Sequence, residues 1–184
     1  MHVLVAYASR HGATQGIAER IAETLRSAGL QTETRPANAV KDVAEYDAFV
    51  IGSAAYMYHW MKEARDLVHR HRAILATRPL WLFSSGPLGT EAIDAKGRDQ
   101  KVAAVPKEIP ELSAALGARD HHVFFGAFER DRKPVGFAEG ISERFSSLMP
   151  SIREAMPYGD FRDWPEIEGW AGGIARELNS VPAI

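Results

Sequence analysis

Val3 to Tyr7 is a continuous apolar stretch that ends in a polar loop, the pattern of a strand buried on both faces. From Ala13 to Ser27 the pattern changes: Ile17, Ala18, Ile21, Ala22 and Leu25 recur at helical spacing, and Gly29 stands where a C-terminal cap belongs. "LQTETRP" alternates and stops at Pro36, which predicts a second strand, and residues 39–45 read as a short helix or turn. "DAFVIGSA" is a third strand, apolar throughout. A helix follows from about Trp60 to Ala76, with Leu67, Val68 and Ile74 inward, and then "PLWLFSSG" and "HHVFFGAF" give strands four and five.

Strands alternating with helices predict βαβ units, a parallel sheet and right-handed crossovers. Between strands four and five the chain is irregular. "TEAIDAKGRDQKVAAVP" has mixed charge and little periodicity, so residues from about 88 to 106 read as an insertion loop. "PKEIPELSAALGA" predicts a short helix opened at Pro110 and stopped at Gly117. Two more helices are expected. One runs from about Phe137 to Ala155; the other starts at "DWPE", with Asp163 as N-cap and Glu166 closing a capping box, and reaches about Leu178. No repeat or linker divides the chain, and residues 1–184 read as one domain.

Composition narrows the chemistry. The 184 residues are 46% hydrophobic and 25% charged, as in ordinary globular proteins, and a net charge of -2 supplies no general field for nucleic acid. There is no cysteine, which excludes disulfides, thiolate metal sites and cysteine nucleophiles, so any redox chemistry needs a bound cofactor. The opening "MHVLVAYASRHG" has neither a basic leader nor a membrane-length apolar run. A cytoplasmic location is expected, with contact at the inner face of the membrane left open.

In an open parallel sheet, ligands sit beyond the carboxyl ends of the strands. Three such ends carry suggestive residues. At the first, Ser9, Arg10, His11, Gly12, Ala13 and Thr14 precede a helix whose bare amides and dipole favour an anion. The stretch lacks the Gly-Lys-Ser/Thr ending of a Walker loop and the GxGxxG of a dinucleotide site, which points to a single phosphate. A plain strand end and helix start is the alternative. At the second, residues 52–60 read as a loop before the helix: Ser53, Ala54 and Ala55 allow close approach, and Tyr56, Met57 and Tyr58 offer a wall for a flat ring, with Trp60 the best candidate for ordinary packing. At the third, Ser84, Ser85, Gly86, Pro87, Leu88 and Gly89 form a tight turn whose backbone can meet the polar edge of a ring. A planar heterocycle with one phosphate fits all three, and flavin mononucleotide (FMN) is the economical choice.

Other clusters carry less. His69 and His71 lie two apart on a predicted helix, ~200° around its axis; they cannot chelate one metal and read as part of an exposed helix. His121 and His122 face opposite sides of a strand, "ERDRK" at 129–133 reads as a solvated loop, and Trp164 and Trp170 read as packing residues. No metal site is expected, and no side chain stands out as a catalytic acid or base.

These residues resemble the flavodoxin family. "SRHGAT" is similar to its phosphate loop, Ser/Thr-x-Thr-Gly-x-Thr, with Ser9, Gly12 and Thr14 matching; His11 stands where threonine is usual, and an imidazole can also donate. The resemblance implies a three-layer α/β fold, with a five-stranded parallel sheet in the order 2-1-3-4-5. Within the family the chain is most similar to the branch containing menaquinone-dependent protoporphyrinogen dehydrogenase, on "YASRHGATQGIAERIA", "GSAAYMYHW", "FFGAF" and "DFRDWPEIEGWA". That branch implies an FMN-dependent oxidoreductase passing electrons or hydride between an organic substrate, with protoporphyrinogen as the candidate, and a quinone-type acceptor. In it Tyr56 or Tyr58 covers the ring, and Leu88 to Val105 form the substrate wall or lid. The alternatives are an electron carrier without a substrate of its own, or a binding or regulatory protein with an empty flavin site.

Overall fold

A computed structural model describes residues 1–94, 96–128 and 158–180. The helix expected at 137–155 and the charged stretch at 129–133 lie outside the described residues. Five strands form the parallel sheet: β1 (His2–Ala8), β2 (Gln31–Pro36), β3 (Ala48–Tyr56), β5 (Leu80–Ser85) and β6 (Asp120–Phe124). Their spatial order is β2-β1-β3-β5-β6, which is 2-1-3-4-5 counted over the parallel strands alone, as expected. A two-residue strand, β4 (His59–Trp60), pairs antiparallel with the end of β3.

Each face of the sheet has its own core. Val3, Val5, Val50, Trp81, Phe83 and Phe124 point to one side, against α1 (Ala13–Ser27) and the C-terminal helix α5 (Trp164–Ser180). Leu4, Ala6, Phe49, Ile51, Leu80 and Leu82 point to the other, against α2 (Lys62–Leu75) and α4 (Ile109–Leu116). Alternate burial of this kind is what near-continuous apolar strands require. α1 buries Ile17, Ala18, Ile21, Ala22 and Leu25, the stripe read from its spacing. It ends in a Schellman motif: Gly29 at φ 88 donates to the Arg26 carbonyl and Leu30 to that of Leu25. α4 opens with a proline in its first turn and stops at Gly117.

Four expectations need correction. Residues 52–60 are not a loop leading into a helix: β3 continues to Tyr56, turns through Met57 and Tyr58 and returns as β4, so α2 begins at Lys62. A 3-10 turn occupies Ala37–Ala39, earlier than expected, and 40–45 is irregular. His69 is exposed, but His71 sits at a kink in α2, half-buried. Asp163 does cap α5 by accepting from the Glu166 amide at 3.0 Å, yet the Glu166 carboxylate does not close the box. It takes His122 Nε2 at 2.9 Å and the Lys101 ammonium.

The insertion after β5 is held at several points. Asp94 accepts from the backbones of Lys96 and Arg98, Asp99 caps the short helix α3 (Gln100–Ala103), and Lys101 reaches Glu166 on α5. Beyond β6, strands β7 (Ala127–Phe128) and β8 (Gly159–Asp160) form a separate antiparallel ladder. Among the described residues, no helix is long and apolar enough to cross a membrane.

Candidate functional site

The sheet register brings the three strand ends together. Ala8 lies beside Ser53, Ser53 beside Ser84, and Ala54 beside Ser85. Gly86 then lies alongside Ala55, where an added Cβ would make ordinary contact, 3.5 Å from that of Ala55.

At the first end, Ser9 Oγ accepts from the Gly12 amide at 3.1 Å and closes the loop on itself. Gly12 has φ 81, a left-handed value that glycine adopts at little cost, and it is the N-cap of α1 without offering a side-chain cap. No acidic residue sits in the first turn of α1. By contrast, Asp99 caps α3 and Asp163 caps α5. In the same first turn, Thr14 is 1% exposed and its hydroxyl has no hydrogen-bond partner among the described residues. A buried hydroxyl left unpaired costs about 1–3 kcal/mol. An uncapped helix start beside an orphaned hydroxyl has the donors a phosphate oxygen would use, so the residues present fit the phosphate of FMN.

The cradle has neighbours. The guanidinium carbon of Arg10 lies 5.1 Å from the centre of the Tyr56 ring. Burial pushes the Tyr56 phenol up from its ordinary pKa, with Arg10 opposing the shift. His11 meets the edge of Phe128 with ring centres 6.0 Å apart, which sets β7 against the loop. Arg162 lies over the opening turn of α1, donating to the Ala13 carbonyl at 3.4 Å and stacking on Trp164 at 4.4 Å. Its guanidinium is paired with both carboxylate oxygens of Asp160, which holds that carboxyl below the usual range. A Cβ on Gly16 would run into this guanidinium.

At the second end, Met57 and Tyr58 form the two-residue turn of the β3–β4 hairpin, with φ 51 and 64. Type I′ turns require positive φ at both central positions and favour Asn-Gly. Two bulky residues in that conformation cost about 1–3 kcal/mol each and persist only where their surroundings fix them. They are also 72% and 55% exposed. Several contacts fix the hairpin. Ser53 Oγ accepts from the Met61 amide at 2.9 Å, and Glu108 accepts from the Trp60 amide at 2.6 Å and pairs with His59 Nδ1 at 3.1 Å. The Lys107 amide donates to the Tyr58 carbonyl at 3.0 Å. Tyr58 therefore stands exposed at the tip of the hairpin, while Tyr56 carries Arg10 on its ring.

The third end is more inward than its sequence suggests. Ser84 is fully buried; its hydroxyl accepts from Trp60 Nε1 at 2.7 Å and lies 2.8 Å from His121 Nε2. Burial pushes the His121 imidazole down to about 4. It is therefore neutral near pH 7, and its Nε2 shares one hydrogen bond with the Ser84 hydroxyl. Ser85 is buried, the Gly86 amide donates to the Phe124 carbonyl at 3.3 Å, and Pro87 accepts from Gly126 at 2.9 Å. Leu88 packs beside Gly126, and Gly89 turns the chain at φ 123.

Glu108, His121 and Arg162 carried no signal as site residues, because each acts through a partner distant in sequence. Glu108 reads locally as an acidic start to α4, and Arg162 as part of the cap of α5. Among the described residues, no three His, Asp or Glu side chains gather where they could hold a metal ion.

A family model described as "Flavodoxin domain" matches residues 4–133. Among solved structures, a flavodoxin from the domain Archaea superposes with a TM-score of 0.60 at 15% identity, covering 97% of this chain and 99% of that one. Oxidised flavodoxin 2 from Bacillus cereus gives 0.57 at 17% identity, over 97% and 98%. Rubredoxin oxygen:oxidoreductase from Desulfovibrio gigas gives 0.60 at 14%, over 97% of this chain and 36% of that longer one. No curated protein matches the sequence.

Proposed function

Because the chain belongs to the flavodoxin domain family, we propose that it binds FMN at the three adjoining strand ends and serves as a redox protein. The observation that carries this is the buried, unpartnered Thr14 hydroxyl beside the uncapped start of α1. Ser9 shapes the loop, Gly12 lets the backbone close in, and the amides of the first turn with Thr14 Oγ1 hold the phosphate. Residues 54–58 and 85–89 flank the ring. Bound there, FMN supplies reversible transfer of one or two electrons.

The finer function proposed is that of an oxidoreductase with its own organic substrate, protoporphyrinogen being the first to test, and a quinone-type acceptor. It is favoured over a simple carrier by the insertion, which is tied to α5 through Lys101–Glu166 while the segment behind it joins the hairpin through Lys107. A net charge of -2 also gives little steering toward basic redox partners.

Absorbance and mass of the purified chromophore, with affinities for FMN and riboflavin, test the cofactor. FMN should bind far more tightly than riboflavin; equal affinities would exclude a phosphate grip. Mixing the reduced protein with a soluble quinone should reoxidise it faster than free reduced FMN. Equal rates would favour the carrier.

A further inference from the structure

The geometry points to Glu108 as a positioning residue: its carboxylate buckles the β3–β4 hairpin and holds Met57 and Tyr58 in the left-handed turn that sets the ring-facing rim. This inference rests on the flavin reading for its consequence, though not for its observation. Both turn residues have positive φ without being glycine or asparagine, and both side chains are exposed, so their own packing does not impose the conformation. Restraint must come from the flanks. Glu108, only 18% exposed at its side chain, spans both residues of β4, taking the Trp60 amide on Oε1 and His59 on Oε2. The preceding amide, Lys107, holds the Tyr58 carbonyl. A turn built from Asn-Gly would need no such clasp.

The test couples the clasp to the strain. NMR φ couplings at Met57 and Tyr58 and amide exchange at Trp60 are read in ligand-free protein. FMN affinity and the visible circular dichroism of bound FMN are read in the loaded protein. Glu108→Ala should abolish the positive-φ couplings, speed Trp60 exchange at least about tenfold and weaken FMN by roughly tenfold. Glu108→Gln, which keeps an acceptor for Trp60, should stay near wild type. Adding Met57→Asn, which tolerates a left-handed backbone, to Glu108→Ala should restore the turn and the flavin spectrum. Unchanged couplings and exchange in Glu108→Ala would overturn the role of Glu108, as would failure of Met57→Asn to rescue. Failure of the wild-type protein to bind FMN would overturn the flavin reading, and the ligand-free measurements would still decide the buckle.

Discussion

Trp60 donates its indole N–H to the Ser84 hydroxyl at 2.7 Å, so the hairpin beyond β3 is bolted to the end of β5 from inside the core. Replacing Ser84 by alanine leaves that donor unpaired and removes the hydrogen-bond partner of His121 Nε2. The expected loss is about 1–3 kcal/mol, or roughly 3–8 °C in melting temperature. FMN affinity should stay within about threefold, because the hydroxyl is already engaged by Trp60 and His121 inside the protein. Thermal denaturation beside a flavin titration separates the two; a large fall in affinity with unchanged stability would contradict the placement.

Thr14→Val should act in opposite directions on folding and on binding. The valine is close in shape and removes a buried hydroxyl that has no partner among the described residues, so the ligand-free protein should gain about 1 kcal/mol. The same change removes a donor to phosphate, and FMN should bind ten- to about a hundredfold more weakly. Urea denaturation and fluorescence titration check the pair.

Gly16 lies inside α1, where alanine would ordinarily stabilise by about 1 kcal/mol. Here the added methyl meets the Arg162 guanidinium, which Asp160 and Trp164 hold in place. Gly16→Ala alone should therefore give no gain. Combined with Arg162→Ala it should recover about 1 kcal/mol relative to Arg162→Ala. A double-mutant cycle of unfolding free energies measures the coupling, and strict additivity would refute the clash.

His121 sets a pH dependence. Its folded pKa of about 4 lies below the ordinary value of 6.5, so between these limits the unfolded chain binds a proton that the folded chain refuses. Stability is unaffected above about pH 6.5 and falls as pH drops towards 4, by up to about 3 kcal/mol. His121→Gln, which keeps a hydrogen-bonding group beside Ser84, should flatten that slope. His71, also held down by burial, leaves part of it in place. Urea midpoints from pH 7.5 to 4.5 give the comparison, and parallel curves would exclude His121.

Much of this was legible in local pattern. The apolar run Val3–Tyr7, the stripe Ile17–Leu25 and the stop at Gly29 fix their elements through spacing and cap chemistry alone. The hairpin was not legible, because Met-Tyr lacks the glycine or asparagine that signals a type I′ turn. Ser84 looked like a loop residue, since its two partners come from β4 and β6. The need for glycine at position 16 has no local signature, since the side chain that a Cβ would meet lies 146 positions later.

The ladder that pairs Ala127 with Asp160 and Phe128 with Gly159 has a consequence for the opening loop of α1. Phe128 on one strand meets the edge of His11, and Asp160 on the other holds the Arg162 guanidinium that reaches the Ala13 carbonyl. A two-stranded ribbon separate from the parallel sheet thus braces residues 11–13 from both sides, and loosening it should be felt there while the five parallel strands stay paired.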